Sequence, residues 1–333
     1  MKAVFWGYKF PNMKDSWAKQ LDWVALALNE YNVEVVKHNS LICNLNNSRD
    51  YDYTVDNPCD LVIYNHCDIS HLFGNVVTSD KVWFFKPTVP TKYHTTLDEL
   101  GYGPYSTVTY SKPDFEKYNV TEVNNFFDIK VKKWIEDRDT KWGNYFENQV
   151  EEILDKDYCL VLGQCGGDEV VTRHDFGSYF AKLLQVIAEL VRITNDTIIV
   201  KLHPYTDGEF AKDDIFSNKI INDIQKISKT RIKIYSGKSN IHNFIKNAKY
   251  VVMGNSGAGF EAMMHHKPII SWGFPEYHWV TYDLRHLCDL YKAIKLDWFD
   301  RGKSDKFLYW YLEKYCFYDL DSCKRRVKEL LNV

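Results

Sequence analysis

Residues 250–271 read Tyr250-Val-Val-Met-Gly-Asn-Ser-Gly-Ala-Gly-Phe-Glu-Ala-Met-Met-His-His-Lys-Pro-Ile-Ile-Ser271. The apolar run at 250–253 is too short for a helix and predicts a buried strand. After a turn of small residues, Phe260, Met263 and Met264 follow the spacing of a helix with one buried face. A second short apolar run closes the stretch. The pattern therefore predicts one βαβ unit, with its turn at the carboxyl end of the first strand.

The turn at residues 254–257 suits an anion. Backbone N–H groups at a helix start have no partner within the helix. Ser256 and the N–H groups of Gly257 and Ala258 are therefore predicted to bind a phosphate. Glu261 lies one turn into the helix, where its carboxylate can accept hydrogen bonds from ribose hydroxyls. An ordinary tight turn is the alternative explanation of this segment.

Two further predicted strands also end in polar residues. The strand at 158–162 is followed by Gly-Gln-Cys-Gly-Gly-Asp, which ends at Asp168. The two glycines leave the Asp168 carboxylate on an accessible turn, as a nucleophile, as a base or as a helix N-cap. Ligands of open parallel sheets bind outside the carboxyl ends of the strands. We therefore expect Asp168 to lie near the turn at 254–257.

The third such strand, at 197–200, runs into Lys201-Leu-His-Pro204. His203 can donate a hydrogen bond to the same phosphate, and Pro204 ends the strand and fixes the direction of His203. Lys201 reaches the site only if the strand end bends. The histidine-proline pair is also compatible with a simple loop.

The order of elements predicts an α/β protein with two Rossmann-like, doubly wound domains. Short apolar runs alternate with helical patterns in both halves of the 333 residues. Residues 86–112 show no periodicity and are interpreted as a long loop. We expect an N-terminal domain over 1–150 and a C-terminal domain over 151–310. A helical tail over 311–333 is predicted to dock back across the domains.

Composition excludes several classes of protein. The net charge of −3 provides no basic surface for nucleic acid. No window approaches 18 uninterrupted apolar residues, so no integral membrane segment is expected. The eight cysteines form no C-x-x-C pair, which favours a reducing, cytoplasmic setting. A P-loop and zinc-site spacings are also absent from the sequence, and no metal or cofactor is predicted.

His265 and His266, at the predicted helix end, are interpreted as partners of the helix dipole.

The motifs around the three strand ends resemble those of the capsule polysaccharide biosynthesis family, the retaining β-Kdo transferases of bacterial capsule and lipopolysaccharide assembly. Residues 164–168 match its Q-x-x-x-D motif, residues 201–204 match K-x-H-P, and residues 256–262 with 267–269 match its S-x-x-G-F-E-A…G-K-P-V segment. The resemblance covers about residues 158–280.

This resemblance implies a GT-B architecture, with a cleft between two domains and the nucleotide-sugar donor held mainly by the C-terminal one. It implies a CMP-sugar donor, a glycan acceptor and no metal. Asp168 would be the nucleophile that attacks the anomeric carbon, so that double displacement retains configuration. His203 and Ser256 would hold the donor phosphate, and Glu261 would position the nucleotide. The full predicted donor-binding set is Gln164, Gly166, Gly167, Lys201, His203, Pro204, Asn255, Ser256, Gly257, Ala258 and Glu261.

The N-terminal half follows the family less closely. The family places an acidic residue before a Gly-Leu-Gly segment, and residues 101–106 here read Gly-Tyr-Gly-Pro-Tyr-Ser. Asp98 or Glu99 would then be the catalytic acid or base. Residues 274–279 follow the family's P-x-Y-x-x-W-G ending only in part. A UDP- or GDP-sugar therefore stays open as the donor.

Two other functions remain open from the sequence. Ser256 sits in a strand-turn-helix context like that of serine hydrolases, although Ala258 breaks the G-x-S-x-G pattern. Asp283 and His286 would have to complete the triad. The second alternative is a non-catalytic nucleotide-sugar-binding protein on the same fold.

Overall fold

The computed structural model describes residues 1–8, 15–38, 59–65, 79, 81–87, 93–140, 157–165, 169–172, 179–204, 218–235 and 239–333. The chain divides into two compact units, one formed by Met1–Asp114 with Tyr309–Val333 and the other by Phe115–Leu308. The boundary predicted near residue 150 lies outside the described residues. The predicted tail belongs to the first unit.

Eleven strands are found in the described residues: β1 Lys2–Trp6, β2 Glu34–His38, β3 Leu61–Asn65, β4 Lys81–Pro87, β5 Thr95–Asp98, β6 Tyr158–Leu162, β7 Ile198–Lys201, β8 Ile232–Tyr235, β9 Ala248–Met253, β10 Ile269–Ser271 and β11 Tyr282–Asp283. The α-helices in the same residues are α1 Asp15–Glu30, α2 Thr107–Tyr110, α3 Val120–Phe126, α4 Lys132–Glu136, α5 Glu169–Thr172, α6 Tyr179–Ile193, α7 Asn218–Ile227, α8 Ile241–Lys246, α9 Gly259–Met264, α10 Leu290–Lys295, α11 Arg301–Trp310 and α12 Leu320–Leu331. Single π-helical turns join α3 to α4 and extend α11, over Phe127–Val131 and Tyr311–Tyr315.

The sheet of the first unit has the order β2-β1-β3-β4-β5. Strands β1 to β4 pair in parallel, and β5 is antiparallel to β4 at one edge. Strand β1 is apolar because it is central and covered on both faces. The apolar stripe of α1, which includes Leu21, Val24 and Leu28, belongs to the core of this sheet.

The C-terminal helix α12 adds to the same core through Cys323, Val327, Leu330 and Leu331. Asp319 caps it, since its carboxylate accepts a hydrogen bond from the Ser322 N–H at 2.8 Å. The helix predicted in the tail over 311–333 is therefore part of the core of the first unit.

Within 86–112, the described residues 86, 87 and 93–112 contain the end of β4, the strand β5 and the helix α2. The interpretation of this range as one long loop was therefore wrong. Strand β5 reads Thr-Thr-Leu-Asp, which is too short and polar to predict a strand. All four side chains are nevertheless buried. Tertiary pairing with β4 imposes the extended conformation here, and local preference does not.

The sheet of the second unit has the order β11-β10-β9-β6-β7-β8, and every neighbouring pair is parallel. The predicted βαβ unit over 250–271 is confirmed as β9, α9 and β10. Two mainly parallel sheets with connecting helices confirm the predicted α/β class. No helix in the described ranges has both the length and the apolar character needed to cross a bilayer.

Candidate functional site

The carboxyl ends of β6, β7, β9 and β10 lie at one edge of the second sheet, because these strands are parallel. The segments that leave this edge are 163–165, 202–204, 254–258 and 272–274. The first three segments contain residues of the predicted donor-binding set, and the fourth follows the next strand along the sheet. The following contacts decide which of these segments meet.

Gln164 and Asn255 join the ends of β6 and β9. The Asn255 N–H donates to Gln164 Oε1 at 3.0 Å, and Gln164 Nε2 donates to Asn255 Oδ1 at 2.9 Å. Asn255 Nδ2 also donates to the Val170 carbonyl at 2.9 Å, and the Gln164 N–H donates to the Tyr179 hydroxyl oxygen at 2.8 Å. Since their polar groups bind one another, these two amides position the loops rather than present themselves to a ligand.

Gly254 is required by this pairing. A Cβ added to Gly254 would lie 2.6 Å from Gln164 Oε1. Similarly, a Cβ at Gly273 after β10 would lie 2.9 Å from the backbone N of Asn255. Both distances are shorter than real contacts allow. The small residues of the turn therefore permit three strand ends to approach one another closely.

His203 lies next to the end of β6. Its Nδ1 is 3.1 Å from Cys165 Sγ, and both residues are half-buried. Pro204 follows and is also half-buried. Cys165 was not singled out from the sequence, because a cysteine between glutamine and two glycines carries no pattern of its own. The pair connects the end of β7 to the end of β6.

Ser256 is half-buried at the end of β9. Its Oγ accepts from the Ala258 N–H at 3.3 Å, and its carbonyl accepts from the Gly259 N–H at 3.1 Å. The Ala258 N–H predicted for phosphate therefore already faces Ser256 Oγ. Helix α9 is also short, at six residues, so its dipole contributes little. The predicted phosphate site therefore depends more on the Ser256 hydroxyl than on the helix dipole.

Tyr277 holds the turn through a hydrogen bond to its backbone. Its hydroxyl donates to the Ser256 carbonyl and contacts Met253 Sδ at 3.3 Å. Burial, followed by the nearby Glu276 and Glu261 carboxylates, raises the pKa of Tyr277 well above its usual range. Tyr277 therefore stays protonated as a donor. In the sequence, Tyr277 stands out only through the partial match of residues 275–277 to the family's P-x-Y motif. That match by itself predicts no contact for Tyr277.

Glu261 and Lys201 are both buried. Glu261 is 4% exposed in α9, beside Tyr277. Lys201 is 4% exposed at the end of β7, with its Nζ 3.4 Å from the Leu202 carbonyl and 5.8 Å from the centroid of the Phe244 ring. Both side chains thus lie under the surface of the sheet edge.

Gly166, Gly167 and Asp168 lie outside the described residues. The predicted nucleophile therefore has no described position. The described residues that flank 166–168 are Cys165, which follows β6 at this edge, and Glu169, which begins α5.

Asp98 belongs to the first unit and is fully buried at the end of β5. Its carboxylate accepts hydrogen bonds from the N–H groups of Leu100, Gly101 and Thr107, from the Thr107 hydroxyl, and from the Tyr315 hydroxyl at 2.6 Å. Such a carboxylate shapes the loop that follows it. Glu99, the other acidic candidate, is exposed.

His265 and His266 differ from the prediction that both serve the helix dipole. His265 is half-buried and packs against His242, with its Nε2 2.9 Å from His242 Nδ1. Burial, followed by nearby positive groups, lowers its pKa to about 3. The prediction was therefore wrong for His265, which is neutral near pH 7. His266 Nδ1 contacts Asp305 Oδ1 at 2.8 Å.

Comparison with known proteins adds a family and a fold. The family model described as "Capsule polysaccharide biosynthesis protein" matches residues 104–309, more than half of the chain. That range contains every described segment of the sheet edge. A search of curated proteins gives no match.

Two solved structures from Thermosulfurimonas dismutans are similar along nearly the whole chain. "KpsC, beta Kdo 2,4 transferase" is 13% identical, with a TM-score of 0.55 over 96% of this chain and 92% of that one. "KpsC, beta Kdo 2,7 transferase" is 16% identical, with a TM-score of 0.53 over 99% and 98%. At this identity the likeness shows a shared GT-B fold.

Proposed function

The chain belongs to the capsule polysaccharide biosynthesis protein family, and we propose that this glycosyltransferase moves a sugar from a nucleotide-sugar donor to a glycan acceptor. A CMP-Kdo-like donor fits the resemblance in the motifs, and a UDP- or GDP-sugar fits the same fold. The main structural support for this proposal is a set of contacts between strand ends. The ends of β6, β7 and β9 are joined by direct contacts inside the family-matched range, through Gln164 with Asn255 and Cys165 with His203.

The donor phosphate is held by Ser256 and His203 in this proposal. Ser256 supplies a hydroxyl on a turn that Tyr277 anchors from behind. His203 supplies an imidazole N–H. A hydrogen bond to a charged group contributes about 1.5–3 kcal/mol, so these two donors account for much of the affinity for phosphate.

The buried and paired residues of the predicted donor set act indirectly. Gln164 and Asn255 hold the loops together, and Gly254 allows their approach. Glu261 positions Tyr277 and the start of α9 in this scheme. These residues are therefore expected to influence donor binding through the shape of the turn.

Asp168 is the proposed nucleophile, on the strength of the Q-x-x-x-D motif. Its carboxylate attacks the anomeric carbon, and the bond from that carbon to the phosphate oxygen breaks, so the nucleotide leaves with the electron pair. An acceptor hydroxyl then attacks the same carbon, loses its proton to a base, and displaces Asp168. Two inversions retain the configuration. The exposed Glu99 is the proposed base, since the Asp98 carboxylate is occupied by backbone and hydroxyl donors.

The first test is a thermal-shift series with CMP, UDP, GDP and their sugars. A ligand that binds only the folded state at 100 times its Kd adds about 2.7 kcal/mol of stability. We expect at least one of these nucleotides to raise the Tm of the wild-type chain. Transfer of a radiolabelled sugar from the corresponding nucleotide sugar to isolated capsule oligosaccharides is then measured.

Asp168→Asn is the decisive variant. It should keep the nucleotide-dependent rise in Tm and lose transfer, because the amide cannot act as the nucleophile. Asp128→Asn, an exposed position in the second unit, is the matched control and should keep both. Full transfer by Asp168→Asn would contradict the assigned nucleophile.

Other results would favour the alternatives. Labelling of Ser256 by a fluorophosphonate, without any nucleotide-dependent shift, would point to a serine hydrolase. Binding of a nucleotide sugar that the wild-type chain neither transfers nor hydrolyses would point to a non-catalytic binding protein.

A further inference from the structure

The loop after β10 presents an aromatic side chain at the same sheet edge. Phe274 is 39% exposed and has a φ of 49°, in the left-handed region. A bulky residue rarely adopts this conformation. Such a residue persists only where its surroundings enforce it, and this is most common at ligand-binding sites.

Phe274 is the exposed end of a stack of rings. Its ring centroid is 4.2 Å from that of His278, with an interplanar angle of 27°, and His278 is 4.2 Å from Trp279 at 39°. The His278 ring is held by a hydrogen bond from Nδ1 to the Pro275 carbonyl at 3.0 Å. Burial lowers the pKa of His278, so the ring is neutral near pH 7. We call Phe274, His278 and Trp279 the aromatic stack.

The loop that carries the aromatic stack packs on the Ser256 turn at two points. Tyr277, inside the same loop, donates its hydroxyl hydrogen bond to the Ser256 carbonyl. Gly273, which precedes Phe274, packs so closely on Asn255 that an added Cβ would lie 2.9 Å from its backbone N. The loop that carries the aromatic stack therefore contacts the turn that is proposed to hold the donor phosphate.

We propose that the aromatic stack is the subsite for the nucleobase of the donor, with the base lying on the exposed ring of Phe274. This inference rests on the proposed function, because it concerns the same donor. A flat base can stack on the exposed ring of Phe274, which itself stacks on His278, and every base offers a π-face for this contact. A sugar ring, which is not planar, extends it less well. The subsite thus recognises a base by shape and not by its particular hydrogen-bonding groups.

The test compares ligands with and without a base. The Kd values of CMP, UMP, GMP and ribose 5-phosphate are measured by calorimetry for the wild-type chain and for Phe274→Leu. Loss of one base-aromatic stack should weaken binding of the nucleotides by about tenfold. Ribose 5-phosphate, which has no base to stack, should bind both chains equally. Phe274→Trp should keep nucleotide affinity.

Two further variants separate this role from an effect on folding. Phe274→Gly suits the left-handed backbone and should show the same selective loss with an intact thermal transition. Tyr291→Leu changes another exposed aromatic residue in the second unit, at 53% exposure, and should change no affinity.

Two results would overturn the base subsite alone. One is unchanged nucleotide affinity in Phe274→Leu and Phe274→Gly, and the other is an equal loss for ribose 5-phosphate. A wild-type chain that binds none of the nucleotides or their sugars would overturn the donor proposal as well. The two failures are therefore distinguishable.

Discussion

At the scale of the residue, Gly254 shows how one missing side chain organises the candidate site. Gly254→Ala would place a Cβ 2.6 Å from Gln164 Oε1 and force apart the amides that join β6 to β9. We expect a loss of about 1–3 kcal/mol in the free energy of unfolding, as for other overpacked sites. Urea unfolding measures this loss, and the nucleotide-dependent rise in Tm should shrink in parallel.

Gly302→Ala is the control for this change. A Cβ there would lie 3.5 Å from Asp300 Oδ1, an ordinary contact, within α11. Alanine in a helix is preferred over glycine by about 0.5–1 kcal/mol, so this variant should be as stable as the wild type or more so. If Gly254→Ala proves equally harmless, the close approach of the two strand ends is not needed.

At the scale of the element, the C-terminal helix α12 depends on its first turn. The Asp319 carboxylate accepts from the Ser322 N–H, and Ser322 Oγ accepts in return from the Asp319 N–H at 3.1 Å. Asp319→Ala should therefore lower the stability of the first unit by about 1 kcal/mol, the usual effect of losing an N-cap. The urea midpoint of the circular dichroism signal provides the measurement.

Asp321→Ala is the comparison for that helix. Asp321 is exposed in the first turn, where its carboxylate interacts with the helix dipole and with the nearby Lys324 charge. We expect less than half the effect of Asp319→Ala. Equal losses in the two variants would show that charge, and not the capping hydrogen bond, stabilises α12.

At the scale of the whole molecule, His242 and His265 make stability depend on pH. The pKa of His265 is about 3 in the folded chain, against 6.5 in the unfolded chain, and burial also lowers that of His242. Between these values the unfolded chain binds a proton that the folded chain excludes. The stabilisation is therefore complete above about pH 6.5 and is lost as the pH falls. The slope approaches about 1.4 kcal/mol per pH unit for each proton.

Urea unfolding at pH 7 and pH 5 tests this dependence. His265→Gln keeps a donor for His242 Nδ1 and cannot be protonated, so the fall in stability should become smaller in this variant. His286→Gln, at an exposed position, should leave the fall unchanged. A pH dependence that is the same in the wild type and in His265→Gln would contradict the assignment.

Much of the fold follows from local patterns. Strands β6 to β10 and helices α6 to α9 lie close to where apolar runs and helical spacing predict them, because buried parallel strands are continuous apolar segments. Strand β11 and helices α10 and α11 lie where the sequence predicted aromatic loops. The βαβ unit over 250–271 is the clearest example. Strand β5 could not be predicted, because its four residues have little apolar character and are held by pairing with β4.

The amino-acid sequence by itself determined the α/β class, the family resemblance, and the edge of the sheet at which the polar strand ends collect. Strand direction alone sets that edge. Only the tertiary structure decided which side chains meet there. Gln164 pairs with Asn255, Cys165 with His203, and Tyr277 with the Ser256 carbonyl. These contacts join residues far apart in the chain, so no local propensity or spacing encodes them, and they arise only when the packed sheet brings its strand ends together.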